Sequence, residues 1–387
     1  AYVMPVLLAF DSDECLDDFV SAVQVVMDRH GVLRTLILWN DQPRAMQVVM
    51  RQAVLPVTYL AQGSDTDTLG VVHQHMAQAS LRLDLQKAPL MELRVAKGRK
   101  GQACHALLLT HHIVGDHVSL DILLDEVSAV LAGRRDGLTR PAQYRDFAAY
   151  CLKRTEDLDR ENEFFRSYLG DVSEVTAPFG LTEVLSDGSD VQEETSYLSP
   201  SISTRIRAVM ARLGMSPSIL FHVAYAQVLA AVSGKDDVVF GTVLSGRMGA
   251  VSGIDRMMGM FINTLPIRVR VGNVGVLECM RQVHERFAQL LQHEHASLAS
   301  VQRCSGVGSG MPLFSALFNY RHSVSLNGAQ RLHGIEVVEV RERTNYPFDV
   351  SVDDLGEDFI FTIQILSGMD PHRVLKYLTH TMEQLVC

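Results

Sequence analysis

Tryptophan and cysteine are scarce in this 387-residue chain, which has one Trp and six Cys. The cysteines, Cys15, Cys104, Cys151, Cys279, Cys304 and Cys387, are scattered and never stand in C-x-x-C spacing. That argues against a zinc ribbon or a disulfide framework and makes a reducing cytoplasm the expected compartment. Positive charge is also short: 35 Lys+Arg against 45 Asp+Glu give a net charge of −10, with no basic block. A surface for nucleic acid or an anionic membrane is therefore not expected. No apolar run approaches the roughly 18–20 residues that span a bilayer, and the opening Ala1-Tyr-Val-Met-Pro5 lacks the basic-then-apolar order of a signal peptide. Beginning at Ala on a strand-like run, the sequence reads as a piece of a longer chain.

What the chain does have is apolar content, 47% over 387 residues, enough for two domains with sizeable cores. The run Tyr2 to Phe10 suits a strand, and Asp11-Ser-Asp-Glu14 an acidic helix entrance. Leu16, Phe19, Val20, Val23, Val26 and Met27 then recur at helical spacing. Met91–Lys97, Gly98–Gly101 and Ala103–Thr110 read as a β-hairpin whose second strand is nearly all apolar, as central strands are. Ser119 is the expected N-cap of the following helix, with Leu120, Leu123, Leu124, Val127, Val130 and Leu131 on its apolar face. Val172 to Ser199 is polar and aperiodic, the best linker, which places the boundary near 170 between domains 1–170 and 171–387. The second half repeats the α/β grammar: a helix opened by Ser216-Pro217, a strand at Val238–Leu244, a Gly- and Met-rich loop from Ser245 to Met260, and strands at Phe261–Arg270, Phe314–Tyr320 and Phe359–Ile365. A long helix is expected from about Val276 to His295.

The chemistry concentrates in Thr110-His-His-Ile-Val-Gly-Asp-His-Val-Ser119, where a buried strand hands over to a helix. A zinc site would need His111, His112 and His117 to converge, yet neighbours on an extended strand point to opposite faces. His111 suits a satisfied core histidine. His112 ends a buried strand, the place where an α/β scaffold presents functional groups, and an imidazole with an unperturbed pKa near 6.5 suits a base. Asp116 can pair with that imidazole or with an arginine elsewhere, and Arg247 of Ser245-Gly-Arg247 is the candidate. Breaking one side of a buried Asp–Arg pair costs about 3–5 kcal/mol, so such a pair can lock a loop.

With these residues in hand, the chain resembles a condensation domain of a nonribosomal peptide synthetase. His111-His-Ile-Val-Gly-Asp116 is similar to the family's H-H-x-x-x-D-G motif. Further family motifs follow in order in Arg29-His-Gly-Val-Leu-Arg-Thr35, Tyr144-Arg-Asp-Phe147, Phe240-Gly-Thr-Val-Leu-Ser-Gly-Arg247, Met260-Phe-Ile-Asn-Thr264 and Phe318-Asn-Tyr-Arg-His322. The resemblance implies an α/β fold of two chloramphenicol-acetyltransferase-like lobes in a V with a central tunnel. It implies that donor and acceptor carrier domains present phosphopantetheine thioesters at the two mouths, that an adenylation domain neighbours this one, and that the domain itself holds no cofactor. His112 is then the active-site histidine, as general base or as positioner of the acceptor amine. Asn319 is a second catalytic candidate, orienting substrate or steadying an oxyanion. His111, Gly115, Asp116, His117 and Arg247 support the site, with Asp116 paired to Arg247. The loop Gly246 to Met260 resembles the tunnel floor, and residues 323–344 include the latch between lobes.

Two departures stand out. The family's first motif is missing before Ala1, and His117 occupies the usual glycine position, where a left-handed backbone would disfavour histidine. Amide formation is the expected reaction. An ester-forming acyltransferase and a catalytically silent carrier-recruiting platform are the alternatives; epimerisation would need an added glutamate base, which Glu336, Glu339 and Glu342 do not supply by their placement in sequence.

Overall fold

In the computed structural model the described residues are 2–40, 42–61, 67–77, 81–98, 103–154, 158–184, 190–248, 251–272, 274–308, 310–322, 334–342 and 344–387. The chain runs β1 (Val3–Phe10), α1 (Asp13–Arg29), β2 (Thr35–Leu38), β3 (Met46–Val49), β4 (Val57–Tyr59), α2 (Thr68–Ala77), β5 (Met91–Ala96), β6 (Cys104–His111), α3 (His117–Leu131) and α4 (Tyr144–Arg154). It continues through α5 (Leu158–Leu169), β7 (Val191–Tyr197), α6 (Pro200–Leu213), α7 (Pro217–Ser233), β8 (Asp237–Leu244), β9 (Asn263–Arg270), α8 (Val276–Leu291), α9 (Leu298–Arg303), β10 (Ala316–His322), β11 (Ile335–Val340), β12 (Phe348–Asp354), β13 (Phe359–Leu366) and α10 (Pro371–Leu385). Residues 99–101 of the expected hairpin turn and most of the expected latch lie outside the described residues.

Two compact units result, and they are interleaved in sequence. The first comprises Ala1–Lys153, Gly249–Phe261 and Leu326–Arg343; the second comprises Arg154–Met248, Ile262–Ser325 and Thr344–Cys387. A single boundary near 170 is thus replaced by a first crossing at 153/154 and two later returns. The polar stretch read as a linker contains β7, an edge strand on β13 whose residues are all exposed or half-buried.

The first unit's sheet has the order β11-β1-β6-β5-β4, antiparallel except for β4 beside β5. Strand β6 is apolar on both faces because each face has its own core. Ala106 and Leu108 join the core beneath α1 and α3, whereas Leu107 and Leu109 pack with Val72 and Met76 of α2. Period-two alternation therefore puts Thr110 on the α1/α3 side and His111 on the α2 side. Helix α1 begins where Ser12 accepts the Cys15 N–H, and buries Leu16, Phe19, Val23, Val26 and Met27. Each such side chain contributes roughly 1.5–3 kcal/mol. Helix α3 is tied to the end of α1 by Glu126, whose Oε2 lies 3.0 Å from Arg29 Nε and 3.1 Å from buried His30 Nε2. Burial pulls the Glu126 carboxyl upward, but these two partners outweigh it and hold it below its ordinary value.

In the second unit the order is β7-β13-β12-β10-β8-β9, with β10 parallel to both neighbours. Helix α7 is apolar all round and enclosed: Phe221 meets Phe359 and Phe361, and Tyr225 meets Phe240, Phe318 and Phe348. The glycine of the Phe240-Gly motif answers to close packing, since a Cβ on Gly241 would stand 2.5 Å from the Phe314 ring. Among the described residues no single helix is long and apolar enough to cross a membrane, and none of the cysteines forms a disulfide.

The returning segment 249–261 is held on the first unit by aromatic contacts. Tyr144 Oη donates to the Met260 carbonyl at 2.7 Å, and Phe261 packs on Phe147 and Tyr144 with centroids 4.6 and 5.4 Å away. Gly259 has φ +153, and a Cβ there would fall 2.0 Å from Tyr144 Cδ2. Gly259→Ala is expected to lower unfolding stability by about 2–4 kcal/mol in chemical denaturation. Combined with Tyr144→Ala it should cost less than the sum of the single changes, because the clash partner is gone.

Candidate functional site: the His112 loop

The loop is built from a strand end, one short 3-10 turn and a helix start. Strand β6 ends at His111, His112–Val114 form the turn, and α3 begins at His117. Strand β1 steadies it through the His112 N–H, which donates to the Tyr2 carbonyl at 2.7 Å. The Tyr2 ring also stacks beside His111 at 6.4 Å.

The two adjacent histidines hold opposite tautomers. His111 Nδ1 accepts the Ile113 N–H at 3.1 Å, so its proton sits on Nε2. Burial, and then the neighbouring His112, lower the His111 pKa to about 4, so this ring is neutral at cellular pH. His112 Nδ1 meets the Gly115 carbonyl at 3.1 Å, and a carbonyl only accepts. Its proton is on Nδ1, and Nε2 carries the lone pair. With both Nδ1 atoms engaged inside the loop, the histidines do not form a three-nitrogen metal cluster, and no group of three His, Cys, Asp or Glu among the described residues is placed to hold a metal.

Asp116 is fully buried and is the N-cap of α3. Its Oδ1 accepts the Ser119 N–H at 2.9 Å and lies 2.8 Å from Ser119 Oγ. Ser119 was expected to be the cap; it is instead the third helical residue, because Asp116 reaches its N–H and places a negative charge at the positive end of the helix dipole. The Ser119 hydroxyl extends the network by accepting the Gly259 N–H at 3.0 Å. That tie between the motif loop and segment 249–261 was missed in the sequence, although Asp-x-x-Ser is a legible capping spacing.

His117 is the first residue of α3 and lies outside the left-handed region, where Phe179 is the one non-glycine among the described residues. The backbone penalty anticipated for histidine at the glycine position is therefore absent: the loop turns at extended Gly115, with φ −171, and not at 117. A Cβ on Gly115 would come 3.1 Å from Ser119 Cβ. Behind the loop lies a small, largely apolar pocket between Met4, Thr110, Gly115, Asp116, Leu120 and Leu123.

Asn319 and Arg247 belong to the second unit. Asn319 is half-buried on β10 in register with Ser351, on the face opposite buried Phe318. Arg247 follows Gly246, whose φ of +65 calls for glycine, and its N–H donates to Ser245 Oγ at 3.4 Å. The pairing of Arg247 with Asp116 joins different units and rests on the resemblance alone.

A family model described as Condensation domain matches residues 1–386. The chain belongs to the condensation-domain family. It is 41% identical to both malpibaldin synthetase and malpinin synthetase of Mortierella alpina, in each case over 99% of its length. It spans only 7% and 5% of those two relatives, so they are much longer proteins. Among solved structures, the condensation domain of monacolin K polyketide synthase superposes with a TM-score of 0.78 at 19% identity, covering 100% of this chain and 91% of that one. The X-domain from teicoplanin biosynthesis gives 0.79 at 18% identity, covering 100% and 90%. These likenesses show that the chain has the mixed α/β fold of the solved condensation-domain structures.

One titration near the site is open to measurement. Burial pushes the Asp121 carboxyl, one turn after His117, up to about 6; His117 acts in the opposite direction, and Asp125 and Asp116 add to the rise. The ionised form is the one the fold penalises, so this group's contribution to stability is lost as pH climbs from about 3.9 to about 6. Asp121→Asn should stabilise by roughly 1 kcal/mol at pH 7.5, after discounting for solvent screening, and by nothing measurable at pH 4 in urea titrations. An equal gain at both pH values would mean the effect is not this ionisation.

Proposed function

We propose that this domain forms an amide between two thioester-bound substrates, the donor acyl or peptidyl group and the acceptor aminoacyl group, each brought on a phosphopantetheine arm of a carrier domain. The single observation that carries the reading is the His112 tautomer: Nδ1 is committed to the Gly115 carbonyl, which leaves the Nε2 lone pair for an N–H proton. The acceptor amine attacks the donor carbonyl, the C–N bond forms, the C–S bond breaks, and the proton shed by nitrogen passes through His112 Nε2 to the departing thiolate. A neutral amine is already nucleophilic, so alignment of two tethered substrates supplies much of the rate, with general-base help adding about 10²–10⁴-fold.

His111, neutral and bonded to the Ile113 N–H, keeps a second positive charge away from the imidazolium that forms at His112. Asp116, in this reading paired with Arg247, fixes the loop, and Asn319 orients substrate. The domain holds no cofactor of its own and works beside an adenylation domain in the cytoplasm.

With donor and acceptor carrier domains loaded, His112→Ala should lower amide formation by roughly 10²–10⁴-fold, whereas His117→Gly should leave it unchanged, as the helical backbone at 117 requires. Intact-mass detection with amino and hydroxy acceptors separates amide from ester formation. Wild-type turnover by His112→Ala removes the proposed site; product from His117→Gly alone makes the natural domain a silent platform.

A further inference from the structure

The Gly115 carbonyl that meets His112 Nδ1 belongs to the peptide unit joining Gly115 to Asp116. A peptide is planar and turns as one body, so whatever holds Asp116 in place also aims that carbonyl. Ser119 holds Asp116 in two ways. Its N–H donates to Oδ1 at 2.9 Å, a bond that any residue but proline supplies at this helical position. Its hydroxyl lies 2.8 Å from the same oxygen, and that bond depends on the side chain.

The hydroxyl is itself fixed from a third direction. Ser119 is buried, and its Oγ accepts the Gly259 N–H at 3.0 Å, with the Gly259 carbonyl also 3.0 Å away. Its one proton goes to the nearer and charged acceptor, the Asp116 carboxylate. Gly259 is in turn confined by the Tyr144 ring, and the next carbonyl along, that of Met260, accepts from the Tyr144 phenol. Ser119 Oγ is thus a junction between a braced stretch of backbone and the cap of α3.

Apolar packing does not supply the same restraint. Gly115 has no side chain, and beside it and Asp116 lies the small pocket bounded by Met4, Leu120 and Leu123. Apart from the neighbours in the chain, Ser119 Cβ and Oγ are the atoms nearest the place a Gly115 Cβ would occupy, at 3.1 and 3.6 Å.

We infer that Ser119 is a positioning residue for His112: through Asp116 its hydroxyl aims the Gly115 carbonyl and so keeps the imidazole proton on Nδ1. The inference rests on the reaction proposed above, to which it adds a residue that acts without touching substrate.

The test compares the wild-type domain with Ser119→Ala, Ser119→Cys and Val127→Ala. Cysteine keeps the volume and weakens both side-chain hydrogen bonds. Val127 is buried two turns farther along α3, so its truncation loosens the helix without touching the junction. Ring ¹⁵N shifts of the histidines read the tautomer, with His112→Ala identifying the His112 signals among those of the 15 histidines. Turnover is measured with loaded donor and acceptor carrier domains. Wild type and Val127→Ala should show His112 protonated on Nδ1. Ser119→Ala should lose part of that population to the Nε2-protonated form, and its kcat should fall roughly tenfold to a hundredfold with KM little changed. Ser119→Cys should move both readouts in the same direction by less. A wild-type tautomer in Ser119→Ala overturns the inference whatever its kcat, and so does an equal tautomer change in Val127→Ala. A tautomer that moves with Ser119 while condensation is untouched by both Ser119→Ala and His112→Ala supports the positioning and counts against the reaction.

Discussion

A buried carboxylate has to be compensated where it stands, and Asp116 sets the terms for everything around it. Removing its charge from water costs several kcal/mol, so the surroundings must return hydrogen bonds and favourable dipoles. The N-terminus of α3 supplies the dipole, and Ser119 supplies an N–H and a hydroxyl. Because that hydroxyl also accepts from Gly259, the requirement is passed on to a segment 140 residues away in sequence. Gly259 in turn lies against Tyr144, whose phenol is fixed to the Met260 carbonyl. Motifs that look unrelated along the chain are thus parts of one support, and what they support is the position of Gly115, whose carbonyl decides the His112 tautomer.

The strand that delivers this loop faces a related constraint. Covered on both sides, β6 is buried from Ala106 to Thr110, and its register with β1 is fixed by apolar pairs such as Leu7 with Leu107. Chemistry can begin only where that double burial stops. His111 is the last residue of the strand and its partial burial explains its low pKa; His112 is the first beyond it.

Much of this is written in the sequence. The nearly all-apolar run of β6 announces a central strand, and six motifs in order announce the family. What the sequence conceals depends on contacts between distant segments. Serine is a good cap and the apolar face starts beside it, so the sequence points to Ser119; in the structure Asp116 takes the cap by accepting the Ser119 N–H, and the Ser119 hydroxyl is left to meet Gly259. The two-unit division is interleaved because residues 249–261 and the strand Ile335–Val340 find their apolar partners in the first unit, which a single linear cut cannot express.

His117 shows how backbone conformation decides whether a departure from a family pattern matters. A glycine at that position suggests a turn that only glycine tolerates, and histidine would then strain the loop that holds His112. Once Asp116 caps α3, however, residue 117 is forced into the first helical turn, where any L-residue fits. The same capping bond that compensates the buried carboxylate therefore makes the substitution conformationally silent. What histidine adds is a titratable ring one turn from the Asp121 carboxyl, so its effect is electrostatic and is felt along α3, not in the geometry of the loop.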